Sequence, residues 1–360
     1  MQYNVSKIPL QAAVFKYVHC NNWYPRRAGR GALLAFGAVL FLAAGTASAK
    51  DPVLDLPISC QPGRDCWLVQ MVDRDPGPGY ADYRCGALSY DGHKGTDIAI
   101  GDQRRMQQGV SVAAAADGVV LSTRDGVQDR VFDGTSLARN SIAGIDCGNG
   151  VLVQHADGWT TQYCHLRQGS VTVGKGSRVT RGQPLGLVGL SGRTEFPHVH
   201  MTVRHGSSVI DPFSATTEVA LCDAKTSGAG LWSPMAQKAL AYPGPQPYAA
   251  GFAAQIPDKA SARAGELSRR TFPADADAIV FWVDVFTLGA GDRMELSLTG
   301  PDGKAVAARG IDIDRPFALW FGYAGRKRPG DAWPAGVYTG RTVIRRGERV
   351  IEKTETLTVE

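Results

Sequence analysis

Outside its first 49 residues the sequence has neither a surplus of one charge nor a long apolar run. Residues 1–49 hold five of the 39 basic residues (Lys7, Lys16, Arg26, Arg27, Arg30) and none of the 34 acidic ones, which leaves 34 against 34 for the rest. A neutral chain with no Lys/Arg cluster on an identifiable element carries no electrostatic footprint for nucleic acid, so that class of partner is set aside. Between residues 86 and 213 a sustained helical period is also missing. The stretches "GTDIAIG", "SVAAAADGVVLST", "GNGVLVQHADGWTTQYCHL" and "HVHMTVRHGSSVIDPF" read instead as short strands cut by glycine, with Asp157-Gly158 as a hairpin turn. The expected fold class is mostly β, with antiparallel pairing.

The single apolar run, "ALLAFGAVLFLAAG", follows the basic segment and precedes Ala47-Ser48-Ala49. It is shorter than the ~20 residues that span a bilayer. Basic region, short apolar run and small-residue site together read as a secretory signal peptide over 1–49. Cleavage would place the mature start at Lys50, in the periplasm or cell envelope, with no membrane span left. An uncleaved membrane anchor is the alternative.

Loss of Cys20 with that segment leaves Cys60, Cys66, Cys85, Cys147, Cys164 and Cys222. An even number in an exported chain points to disulfides rather than to a thiol site. Cys60 and Cys66, bracketing "QPGRD", are the expected local pair. The other pairings stay open, as does the alternative of some free buried thiols.

The domain reading is a Cys-containing segment over 50–85, a β domain over 86–221, a linker over 222–275 rich in Ala, Gly and Pro, and a small β-sandwich of immunoglobulin-like kind over 276–360. Aromatic residues 281, 282, 317, 320 and 321 are assigned to the sandwich core rather than to a sugar-binding stripe.

His93 and Asp97 sit four apart in "GHKGTD", a glycine-containing extended segment, and share a strand face with Gly95 between them, which leaves room for an ion. His198 and His200 share a face in "FPHVHM". "TTQYCHL" is expected to bring His165 onto the face of Tyr163, which lines the site or simply packs. His155 reads as structural and His205 as exposed. Two imidazoles and a carboxylate suit a zinc that keeps an open position for water.

The segments "HKGTD", "GNGVLVQHADGWTTQYCHL" and "VGKGSRVTRGQPLGLVGLSGRTEFPHVHMTVR" resemble the lysostaphin-type (LytM-like) zinc metallopeptidases that cut peptidoglycan peptides. The resemblance covers about residues 88 to 213. It implies an antiparallel, barrel-like or open sheet with a groove, one zinc held by His93, Asp97 and His200, and His165 and His198 as catalytic residues. The implied activity is hydrolysis of stem or cross-link peptides. The alternatives are a non-catalytic family member that binds wall or regulates another hydrolase, and a carbohydrate binder working through the sandwich. Glu195-Phe196 and Met201-Thr202 depart from the family pattern and are read as groove walls. Residues 57–85 lie outside the pattern and are expected to cover or shape the groove.

Overall fold

A computed structural model describes residues 51–135, 143–228 and 230–360. The expected signal peptide therefore lies outside the described residues. Among those, no helix is long and apolar enough to cross a membrane.

The first half folds around β1 (Cys66–Gln70), β2 (Thr96–Ile100), β3 (Ser111–Ala113), β4 (Gly118–Arg124), β5 (Asn149–Gln154), β6 (Trp159–Leu166), β7 (Arg178–Val179), β8 (Pro184–Leu187), β9 (His198–His205), β10 (Ser208–Asp211) and β11 (Thr216–Thr217). Nine of these form one sheet in the order β1-β2-β9-β6-β5-β4-β7, with β10 and β11 added beside β9. Every pairing in it is antiparallel. The sheet stays open and does not close into a barrel. The hairpin between β5 and β6 turns as its sequence demands: Asp157 (φ 53°) and Gly158 (φ 81°) both occupy the left-handed region that Asp-Gly accepts. The α-helix among the described residues of this half, α1 (Gln103–Gln108), spans six residues, too few to display a period in the sequence.

Alternation divides the sheet into a core face and a site face. Ile98, Ile100, Val199, Met201, Val203 and Tyr163 bury into one cluster beneath it. Full burial of such side chains contributes roughly 1.5–3 kcal/mol each. Asp97, His198, His200 and Thr202 alternate with them and face the other way.

Of the two roles expected for residues 57–85, covering or shaping the groove, the structure favours shaping: the segment joins the sheet, and Gln70 and Tyr80 line a cavity. β1 pairs with β2, and Leu54, Ile58 and Cys66 sit in the same core. Three disulfides fasten the domain: Cys60–Cys66, the pair expected from spacing, Cys85–Cys222 and Cys147–Cys164.

The second half is a sandwich. β12 (Gln246–Ala253), β14 (Ala278–Leu288) and β17 (Phe317–Lys327) form one sheet; β13 (Thr271–Phe272), β19 (Arg349–Val359), β18 (Gly336–Arg346), β15 (Arg293–Thr299) and β16 (Ala305–Asp312) form the other. Residues 222–275 are not a loose connector. They hold α2 (Pro234–Ala239), α3 (Lys259–Ala264), β13 and β12, which pairs with β14 from Gln246↔Phe286 to Ala253↔Val280. Glycine and alanine hid that strand, because Ala249, Ala250 and Gly251 lack the β-branched signature, Ala249 and Gly251 fitting close to Trp282.

Of the aromatic residues assigned to the sandwich core, Phe281 is buried in it and Phe317 and Trp320 pack against it. Trp282 and Phe321 face the opposite way, stacked on each other under α3. All eleven residues of β14 are buried, because the outer face of its sheet is covered too. Trp67, Val69 and Ala99, on the site face of the first domain, pack there against Tyr248 and Phe286. The Gln246 amide donates to Leu68 O at 2.9 Å across the same junction.

Candidate metal centre

β2 and β9 bring the ligands together by register. Asp97 lies directly opposite His200, and Ala99 opposite His198, so Asp97, His198 and His200 emerge on one face within two residues of each other along the strands. His93 arrives from the turn before β2. Its Nδ1–H donates to Met71 O at 2.7 Å, and since a carbonyl can only accept, Nε2 is left with its lone pair. That Nε2 lies 3.2 Å from His200 Nδ1 and 3.1 Å from Asp97 Oδ2, while His200 Nδ1 is 2.7 Å from Asp97 Oδ1.

His93 Nε2, His200 Nδ1 and the two oxygens of the Asp97 carboxylate thus meet at separations of 2.7–3.2 Å. A proton on His200 Nδ1 donated to Asp97, or a cation in its place, satisfies this group of atoms. Zinc with bonds of about 2.0–2.1 Å sets tetrahedral ligand atoms roughly 3.3 Å apart, so one carboxylate oxygen and the two ring nitrogens are close to the spacing the ion needs. His93 and Asp97 are almost fully buried, at 2% and 3% exposure. Burial opposes charge on both, yet Asp97 raises the pKa of His93, and His93, His198 and His200 hold Asp97 well below the usual carboxylate range. For His200, burial prevails and lowers its pKa.

Gly95 has a different role from the expected one. A Cβ there would come within 2.6 Å of the His200 ring, so the missing side chain makes room for the imidazole rather than for the ion. The Met201-Thr202 pair is likewise not a groove wall. Met201 belongs to the core, and Thr202 Oγ1 lies 3.0 Å from His200 Nε2, holding the far side of the ring and leaving Nδ1 toward Asp97.

His165 also departs from its expected placement. It does not share a face with Tyr163. Between Asn149↔Leu166 and Val151↔Tyr163 the register slips by one residue, a bulge in which His165 adopts φ 62°. The bulge turns His165 to the site face while Tyr163 points into the core. There Ala115 N–H donates to Tyr163 Oη at 2.7 Å, and Thr161 Oγ1 links Tyr163 Oη to His155 Nε2. Tyr163 packs, and His155 is structural as read from sequence. His205 is exposed and stacks on Trp159.

The Nδ1–H of His165 donates to Ser191 O at 2.8 Å, and its backbone N–H donates to Cys147 O at 2.8 Å, next to the Cys147–Cys164 disulfide. Burial and the neighbouring His198 and His200 push the His165 pKa well below its ordinary value, so the ring stays neutral with Nε2 as a proton acceptor. His198 sits 4.7 Å away, ring to ring, with Nδ1 3.0 Å from Phe196 O and from Thr194 Oγ1. Phe196 does form a wall, lying against His198 and against Phe286 of the sandwich.

His165, His198 and His200 form a second, overlapping group of potential metal ligands; the group with Asp97 alone adds a negative charge to balance a dication. Cys60, Asp65 and Cys66 also cluster, but their disulfide removes the thiolates. Met71, Ser191 and Thr202 were invisible to motif reading because each acts through a single contact set by the fold.

Residues 91–212 match peptidase family M23. The chain is 35% identical over 108 residues to "Peptidoglycan DD-endopeptidase ShyA" of Vibrio cholerae serotype O1, covering 30% of this chain and 19% of that protein. It is 36% identical over 103 residues to "Cell division protein DipM" of Caulobacter vibrioides, covering 29% and 15%. The chain thus spans less than a quarter of the length of these curated relatives. Among solved structures, the catalytic domain of lysostaphin from Staphylococcus simulans aligns at 23% identity over 38% of this chain and 86% of that one, with a TM-score of 0.26.

Proposed function

Residues 91–212 form a domain of peptidase family M23, and from that premise we propose that the chain is an exported zinc-dependent endopeptidase that hydrolyses peptide bonds in peptidoglycan stem or cross-link peptides. The observation that carries this reading is the meeting of His93 Nε2, Asp97 and His200 Nδ1 at ligand spacing with two further histidines, His165 and His198, beside them. His93, Asp97 and His200 would hold one zinc. Bound there, zinc supplies Lewis acidity and a hydroxide nucleophile near neutral pH.

The remaining residues bind, orient and move protons. His165, neutral and fixed by Ser191 O, offers Nε2 to a proton from the attacking water. His198, its Nδ1–H fixed on Phe196 O, presents Nε2 to the same space, and only after taking up a proton there can it donate to the developing oxyanion or the leaving amine. Thr202 and Met71 O orient the two imidazole ligands, the role outer partners play in metal sites. Export is supported by the basic and apolar N-terminal segment and by the three disulfides.

The test is digestion of purified peptidoglycan by the purified chain, with product masses read with and without a chelator. New peptide termini that vanish on chelation are expected. A zinc-loaded chain that cleaves no wall peptide would overturn the enzyme reading in favour of a non-catalytic wall-binding or regulatory protein.

A further inference from the structure

Next to the metal centre, at the junction with the sandwich, lies a cavity of about 180 Å³ bordered by Gln70, Tyr80, Ser89, Tyr90, Phe317 and Ala318. Four observations tie it to the site. Gln70 is the cross-strand partner of Asp97, because the β1 bulge between Leu68 and Gln70 shifts the register there, so both side chains rise on the site face. The Tyr90 ring lies 4.5 Å from the His93 ring. Gln70 is only 9% exposed, yet its side-chain amide has no hydrogen-bond partner among the described residues. The amide nitrogen and oxygen are not among the fully buried unpaired polar atoms, so they stay accessible on the cavity wall, ready for a partner from outside. Finally, Tyr80 is exposed at 40%, so the cavity opens to solvent at that edge.

The sandwich wall is held in place. Trp67, Tyr248 and Phe286 interlock across the junction, with Tyr248 stacked on Phe286 at 4.1 Å, and Gln246 donates to Leu68 O on the strand that carries Gln70.

We infer that this cavity is a substrate subsite that seats a residue of the peptide beside the scissile bond, its backbone amide paired with the Gln70 amide and the C-terminal sandwich serving as one wall. A primary amide carries both donors and an acceptor, so it can pair with the N–H and the C=O of a peptide group at once. The inference rests on the endopeptidase reading and adds to it that the sandwich selects substrate rather than merely following the catalytic domain.

The test uses the zinc-loaded chain and soluble cross-linked muropeptides released from purified peptidoglycan by a muramidase. Q70L, of similar shape but unable to hydrogen-bond, and A318F, which fills the cavity from the sandwich side, are each expected to raise KM about tenfold with kcat within about twofold of wild type, the scale of one lost hydrogen bond. Zinc content stays at the wild-type value. Titration calorimetry of the metal-free chain with the same muropeptides should weaken in parallel. Wild-type KM and binding in both variants would overturn the subsite and leave the endopeptidase reading intact, whereas no cleavage by the wild-type chain would overturn both. Two chemically different variants on opposite walls keep the test decisive if one of them fails to fold.

Discussion

Gly95 and His200 occupy complementary space: a methyl group on Gly95 would lie 2.6 Å from the His200 imidazole and 2.8 Å from Met201 O. The backbone cannot yield, since β2 and β9 are paired at Asp97↔His200, so the ring would have to move. Gly95→Ala should therefore displace a proposed ligand without unfolding the domain. Elemental analysis should find zinc well below the wild-type content at a nearly unchanged melting temperature; full zinc occupancy would show that the His200 ring is not held by that space.

Metal binding and catalysis should separate by residue. Alanine at His93, Asp97 or His200 should lower zinc content and activity together, because two remaining ligands hold zinc poorly. Alanine at His165 or His198 should leave zinc in place and slow cleavage by roughly a hundredfold or more. Full activity in His165→Ala would sink the assigned division.

Thr202 supplies a milder test of the same centre. Thr202→Val keeps the shape but removes the oxygen 3.0 Å from His200 Nε2. Loss of an outer partner typically weakens metal binding by about 10–100-fold. Competition with a chromogenic chelator should report that loss, and Thr202→Ser should recover most of it.

Zinc retention should fall on acidification. The pKa of His93 is raised: burial opposes its charge, but Asp97 at 3.1 Å outweighs burial. A proton therefore competes for Nε2 at higher pH than it would for an ordinary histidine, and metal binding must displace it. The apparent zinc affinity should drop steadily as the pH is lowered from neutral into the acid range. An affinity flat across that interval would mean that His93 is not a ligand.

The Cys147–Cys164 bridge, with a sequence separation of 17, anchors the carbonyl that accepts the His165 N–H. The double Cys→Ser variant should lose about 2–4 kcal/mol of stability. Activity should fall further than in a Cys60→Ser, Cys66→Ser variant, because only the first bridge borders the bulge that aims His165. Denaturant melts and turnover on the same samples would read both effects.

The mostly antiparallel β architecture, the Cys60–Cys66 pair and the shared face of His198 and His200 were legible in the sequence because they depend on short-range rules, strand alternation and turn chemistry, whereas the five proposed site residues as a set came from the motif resemblance. Where those rules are broken locally, the reading failed. A one-residue bulge sent Tyr163 to the core and His165 to the site, which no alternation pattern reveals. The strand at 246–253 carries small residues because Trp282 crowds it, so packing and not propensity defines it. Met71 O, Ser191 O, Thr202 and Gln70 reach the centre through contacts between distant segments, and a lone carbonyl or hydroxyl leaves no trace in spacing. The sequence by itself determined which side chains could form the centre; the tertiary structure decided which neighbours orient them and that the sandwich lies beside the site, because those depend on sheet register and on docking across the junction.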